Sequence, residues 1–128
     1  MKLLLDTCAF LWIVADAPDL SRRARELFQA ADNEVYLSAA SAWEIAVKHG
    51  LGRLPLPDSS DRFVREMRDA HGIASLPLDE ESALHASRLP ALHGDPFDRI
   101  LVSQAIVHGL TILTPDPLVT QYPGRTAW

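Results

Sequence analysis

Short apolar runs alternate along this chain with longer stretches in which apolar residues recur every three or four positions. Lys2 to Leu5 has the length of a buried strand and is stopped by Asp6-Thr7. Cys8 to Ala15 is apolar over helical length, with Asp6 or Thr7 as its N-cap and Pro18 closing the segment. Ser21 caps a second helix over 22–31, on which Ala24, Leu27, Phe28 and Ala31 recur at helical spacing. Val35-Tyr36-Leu37 reads as a second strand. Ser38 or Ser41 then opens a helix carrying Trp43, Ile45, Ala46 and Val47, which His49-Gly50 ends.

Leu54-Pro55-Leu56-Pro57 is a stiff joint, because proline fixes its own φ and restricts the residue before it. Ser59 or Ser60 caps a helix bearing Phe63 and Met67, which ends at Gly72, and Ile73 to Leu76 forms a brief strand. Asp79-Glu80-Glu81 places acids where a helix N-terminus favours them, and that helix ends near Leu89-Pro90. A further helix runs from Pro96 to His108 and stops at Gly109. Leu110 to Thr114 is the clearest strand, broken by Pro115-Asp116-Pro117, and the tail toward Trp128 adds a short edge strand. All-apolar strands alternating with helices predict an α/β domain: three layers, α/β/α, around a central, mostly parallel sheet. With no repeat and no long linker, residues 1–128 read as one domain.

Composition narrows the chemistry. A single cysteine, Cys8, excludes an internal disulfide framework and a cysteine-based zinc cluster. It suits a reducing, cytoplasmic setting. Asp6 interrupts Leu3-Leu4-Leu5 too soon for a secretory leader, and no apolar run approaches the ~18 residues of a membrane helix. A formal net charge of -5 argues against coating duplex nucleic acid by bulk electrostatics. It leaves a nuclease open, since clustered carboxylates make a chain acidic until a metal neutralises them.

Parallel α/β sheets place their chemistry beyond the carboxyl ends of the strands. Four acids fall there: Asp6 directly after the first strand, Glu44 in the helix after the second, Asp98 in the first turn of the helix before LTILT, and Asp116 two residues after that strand. Brought together, they repel one another, and partial burial adds a desolvation cost. A hard divalent cation, Mg²⁺ or Mn²⁺, relieves both and takes oxygen ligands. Each acid also has a purely structural reading. Asp95-Pro96-Phe97-Asp98 fits an N-cap, N1 and N3 of a capping-box-like turn. Asp6 suits a cap, Glu44 suits a pair with Lys48 one turn on, and Asp116 suits a turn between prolines. Their common location favours the metal reading.

The residues LLLDT with Trp12, SAASAWEIAVKHGLGRLPLP (38–57) and DPFDRILVSQAIVHGLTILTPD (95–116) together resemble the PIN-domain ribonucleases, specifically the VapC-like toxins of bacterial toxin–antitoxin pairs. The resemblance implies a PIN fold with an acidic pocket that binds Mg²⁺ or Mn²⁺. Its conserved acids map onto Asp6, Glu44, Asp98 and Asp116. It implies RNA hydrolysis leaving a 5′ phosphate and a 3′ hydroxyl, a cognate antitoxin that wraps the toxin, and a homodimer. The chain departs from that subgroup at Cys8, where histidine is common, and at Pro115, where a basic residue is common.

On this reading Asp6 and Asp98 are metal ligands, Glu44 completes the shell directly or through water, and Asp116 holds a second ion or positions water. Lys48, Arg53 and Arg99 are candidate RNA contacts at the rim, and Arg22, Arg23 and Arg25 form a separate basic cluster. Arg99 also has a local ion pair with Asp98 open to it. Thr7 and Thr114 have hydroxyls near the proposed pocket; they read as ordinary turn hydrogen bonders, with support of the metal ligands as the alternative, and no histidine stands out as a general base. Trp12, Phe28, Trp43, Phe63 and Phe97 read as core. The competing class is a noncatalytic PIN-fold module that binds RNA or protein.

Overall fold

A computed structural model describes residues 1–128. Five strands, β1 (Lys2–Leu5), β2 (Glu34–Ser38), β3 (Ala74–Leu76), β4 (Thr111–Leu113) and β5 (Arg125–Ala127), form one sheet in the order β3-β2-β1-β4-β5. Every pairing is parallel. The helices are α1 (Thr7–Ala15), α2 (Arg22–Gln29), α3 (Ala39–Gly50), α4 (Ser60–Ala70), α5 (Glu80–His85), α6 (Pro96–His108) and α7 (Pro117–Thr120), with one 3-10 turn at Ala86–Arg88.

Successive strand residues point to opposite faces, and the core divides accordingly. Leu3 and Leu5 of β1, with Val35 and Leu37 of β2, pack on one face against Phe10 and Ile13 of α1, Ile45 of α3 and Phe63 and Val64 of α4. Leu4 and Ile112 face the other way, against Leu101, Val102 and Ala105 of α6 and Val119. The strands are apolar at consecutive positions because both faces are covered, as the alternation of elements predicted.

Element boundaries follow local chemistry. Ser21 and Ser59 accept from the backbone of Ala24 and Arg62, so both serine caps form. Ser38, not Ser41, caps α3 by accepting from the Ala40 amide. Gly109 adopts φ 68°, the left-handed conformation that ends α6, with its amide bonded to Ala105. Three expectations shift. The second helix ends at Gln29, short of residue 31, and the acidic helix after Asp79 becomes a 3-10 turn from Ala86. Pro115-Asp116-Pro117 does not merely break β4. Asp116 caps α7, with Pro117 at its first position, where a missing N–H costs nothing.

Phe10 is fully buried, whereas Leu84 is 64% exposed. Phe10→Ala is expected to destabilise the protein by about 3–5 kcal/mol in urea unfolding, and Leu84→Ala by less than about 0.5 kcal/mol.

Candidate metal centre and its supports

β1 lies at the point where the strand order turns back, with β2 on one side and β4 on the other. A crevice opens beyond the carboxyl ends of strands at such a switch point. Asp6 stands there, one residue past β1, and is buried. Its Oδ1 accepts from the Ala9 amide at 2.6 Å, capping α1, and its Oδ2 accepts from the Thr114 hydroxyl at the end of β4. The same hydroxyl accepts from the Asp116 amide at 3.1 Å, so one threonine ties the loop of Asp116 to Asp6.

Glu44 is buried in the second turn of α3. Its Oε1 accepts from the Thr7 hydroxyl at 2.6 Å, and its Oε2 pairs with Lys48 one turn on. The i,i+4 pair anticipated as an alternative to metal binding therefore forms. The Glu44 hydrogen bond holds the Lys48 ammonium above the ordinary lysine range. Thr7 and Thr114 do more than close turns: each hydroxyl is spent on a site carboxylate.

Asp95 caps α6, accepting from the Phe97 and Asp98 amides at 2.9 and 3.2 Å. Asp98, placed as N3 of the cap, instead turns its Oδ2 to His93 Nε2 at 3.1 Å. The opening turn of α6 thus divides its labour: one aspartate caps and the other is released to the crevice. Asp116 accepts from the Leu118 amide at 2.9 Å and is half-buried. The two site helices are held in register by Gln104 of α6, which is fully buried. It accepts from Ser38 at 2.5 Å and donates to the Pro77 carbonyl at 3.1 Å.

The acids feel one another. Burial pushes the Asp6 carboxyl up to about 6, with Asp98 and Asp116 adding to the rise and the Thr114 and Ala9 hydrogen bonds opposing it. Burial also raises Asp98; its hydrogen bond from His93 opposes this, and Asp95, Asp116 and Glu44 add to it. Cys8 stands over the same crevice. Lost hydration and the charges of Asp6 and Glu44 push its thiol up, so the thiolate is disfavoured.

Four carboxylates share this crevice with one ammonium, Lys48. The donors are all hard oxygens, the set that suits Mg²⁺ or Mn²⁺. In the side-chain positions seen, no three His, Cys, Asp or Glu groups converge closely enough to hold one ion. The reason is visible in the bonds above: Asp6, Glu44, Asp98 and Asp116 are each turned onto a donor of the protein itself. The donor chemistry of the four carboxylates fits a divalent cation.

Three sequence expectations need correction. Arg99 does not pair with Asp98. Its guanidinium donates to the Pro90 and Ala86 carbonyls at 2.8 and 3.1 Å and to Tyr122 at 3.0 Å. Each of those carbonyls already accepts one backbone amide, from Leu92 and Leu89 respectively, and the planar fork supplies a second donor. Trp43 is not core: it is 64% exposed and meets Phe97 edge-on, with centroids 5.3 Å apart. His93, passed over in the sequence, touches the site. Arg53 remains exposed. In the separate basic cluster, Arg22 pairs with Glu26 and Arg25 with Asp16.

A family model described as PIN domain matches residues 3–123. The chain belongs to the PIN domain family. Ribonuclease VapC16 of Mycobacterium tuberculosis (strain ATCC 25618 / H37Rv) is 38% identical over 69 residues, which cover 54% of this chain and 49% of that protein. The chain thus spans about half the length of this relative. Among solved structures, VapBC2 from Rickettsia felis, bound to a promoter DNA fragment, superposes with a TM-score of 0.75 at 14% identity, covering 99% of this chain and 98% of that one. DNA-bound VapBC from Salmonella typhimurium gives 0.71 at 18% identity, covering 99% and 97%. These likenesses carry the PIN fold, with the three-layer arrangement described above.

The raised Asp6 value fixes the sign of a pH effect. Between the unfolded aspartate value near 4 and the folded one, the native state keeps a proton that the unfolded chain has released. Stability contributed by Asp6 is therefore present at low pH and lost as pH rises through that window, on the order of 3 kcal/mol in all. In EDTA, urea unfolding from pH 4 to 7 is expected to show this decline. Asp6→Asn should flatten most of it and be the more stable protein at pH 7.

Proposed function

We propose that this PIN domain is a divalent-metal-dependent endoribonuclease, the toxin of a toxin–antitoxin pair. The observation that carries the reading is the group of four carboxylates at the sheet's switch point, where burial holds Asp6 and Asp98 both above the ordinary carboxylate range. The partial likeness to Ribonuclease VapC16 supports the substrate class. A noncatalytic module gains little from burying clustered negative charge, whereas perturbed acids in a cleft are expected of a working site.

Asp6, Glu44 and Asp98 would hold Mg²⁺ or Mn²⁺, with Asp116 at the crevice mouth positioning water or a second ion. Such an ion, when bound, supplies electrophilic polarisation of a phosphate oxygen and lowers the pKa of water. The rest falls to the chain. Thr7 and Thr114 orient the Glu44 and Asp6 carboxylates, and the rigid ends of β1 and α6 fix their positions. Lys48 and exposed Arg53 supply positive charge at the rim for the RNA backbone. Water adds to phosphorus, the bond to the 3′ oxygen breaks, and that oxygen leaves with a proton as the 3′ hydroxyl.

Two surfaces fit the proposed partners. Leu11, Trp12, Leu54, Leu56, Phe63 and Met67 help line an apolar groove of about 680 Å³ between α1, the proline-rich joint and α4. It suits the apolar face of an antitoxin segment. The toxin–antitoxin complexes among proteins of the same fold support that partner. Trp43, Val47 and Leu51 lie at i,i+4 spacing along α3 and its C-cap and are all exposed, a stripe that suits a second copy of the chain. The exposed, unpaired Cys8 suits the reducing cytoplasm, and no helix is long and apolar enough to cross a membrane.

Purified protein is expected to cleave a mixed RNA pool with Mg²⁺ or Mn²⁺ and not with excess EDTA. Asp98→Asn and Asp6→Asn should each lower the rate more than about 100-fold while remaining folded. Equal cleavage by wild type and variants would remove the proposed roles of these acids. In sedimentation, Val47→Asp should shift a dimer toward monomer; an unchanged dimer would clear this stripe of the role.

A further inference from the structure

His93 lies in the loop before α6 and is linked at both ring nitrogens. Nδ1 is 2.6 Å from the Tyr122 hydroxyl, and Nε2 is 3.1 Å from Asp98 Oδ2. Tyr122 is buried, and its ring stacks at a tilt on His93, with centroids 5.3 Å apart. The guanidinium of Arg99 lies 5.8 Å from the centre of that tyrosine ring and donates to its oxygen.

Counting donors fixes the direction of every proton here. The Tyr122 oxygen accepts from Arg99 Nη1 at 3.0 Å and from the His93 backbone amide at 3.3 Å, which uses both of its lone pairs. Its own O–H must then donate. The nearest acceptor is His93 Nδ1 at 2.6 Å, and the alternative, the His93 carbonyl, is 3.4 Å away. Nδ1 is therefore bare, and the neutral ring carries its hydrogen on Nε2, facing Asp98. A carboxylate only accepts, so the far end of the chain of bonds demands the same tautomer. Asp98 Oδ2 is occupied by this contact, whereas no protein group bonds Oδ1.

We propose that Arg99, Tyr122 and His93 form a positioning relay that fixes His93 as the Nε2–H tautomer and turns Asp98 so that Oδ1 is presented to the crevice. The proposal rests on the reading of Asp98 as a metal ligand. It assigns His93 and Tyr122 no contact with RNA or metal; both act through Asp98. It also gives Arg99 its role: the fork that braces the 86–90 carbonyls also supplies the donor that sets the tyrosine proton. Partners of this kind, one bond removed from a ligand, typically alter metal affinity about 10–100-fold.

The test uses metal-free protein first. Long-range ¹H–¹⁵N spectra of the His93 ring are expected to show the Nε2–H tautomer, and Tyr122→Phe should turn this into a mixture. An Nδ1–H ring in wild type would overturn the relay, whatever the activity. Mn²⁺ affinity, measured by paramagnetic resonance, supplies the second readout. A glutamine amide nitrogen can take the place of Nε2, and an asparagine one cannot reach it. His93→Gln should stay within several-fold of wild type, while His93→Asn should bind Mn²⁺ about 10–100-fold more weakly. Equal affinity of wild type, His93→Gln and His93→Asn, with binding still lost in Asp98→Asn, would overturn the positioning role and leave the metal reading intact. No Mn²⁺ binding by wild type would overturn the metal reading and the relay's role with it.

Discussion

A carboxylate buried at the end of the central strand is the constraint around which this molecule is organised. Asp6 is costly to hold there, because burial and two neighbouring acids oppose its charge. Its position nevertheless makes it the common partner of elements distant in sequence. One oxygen starts α1 and the other binds the end of β4 through Thr114. Remove the charge and the sheet loses nothing electrostatically; remove the side-chain hydrogen bonds and α1 loses its cap while Thr114, beyond β4, loses its link to Asp6, the strands themselves staying paired through their backbones. Function and stability therefore pull the same residue in opposite directions. That conflict is expected at a site kept for chemistry.

The helix termini share the task of tolerating the acids. Asp6, Asp95 and Asp116 each accept backbone amides at the start of a helix, where partial positive charge offsets part of their repulsion. Capping and metal binding are then not rivals. The turn that makes a good helix start also points a carboxylate at the crevice, and Asp95 frees Asp98 by taking the cap itself.

Much of this was legible along the chain, because it is written in local chemistry. The strand Lys2–Leu5, the serine caps and the span Pro96–His108 follow from short-range rules, and their alternation gives the layered sheet. The acids were legible as a group, since parallel topology sends strand ends to one edge. What escaped depends on partners remote in sequence. Thr7 meets Glu44, Thr114 meets Asp6 and His93 meets Tyr122 across spans that no periodicity encodes. Arg99 sits beside Asp98 in sequence, yet the carbonyls of Ala86 and Pro90 and the Tyr122 hydroxyl draw it elsewhere. Trp43 looks apolar in any window, and only the packing of α3 decides that it faces outward. The short α7 lies between prolines that suggest a turn, and its cap becomes evident only with the helix.

The bond between Thr114 and Asp6 joins residues 108 positions apart. A ribosome adding 5–20 residues per second needs roughly 5–20 s to span that interval. Through that time the first strand exists without β4 beside it, since β4 is threaded between β1 and β5 and comes from the far end of the interval. The first acid of the crevice is made early and the last element of its wall late. Assembly of the pocket is thereby deferred until nearly all of the domain has left the ribosome. A nascent chain carries the acids without the enclosure that would bring them together, so the fold's strand order acts as a delay on the site's own maturation.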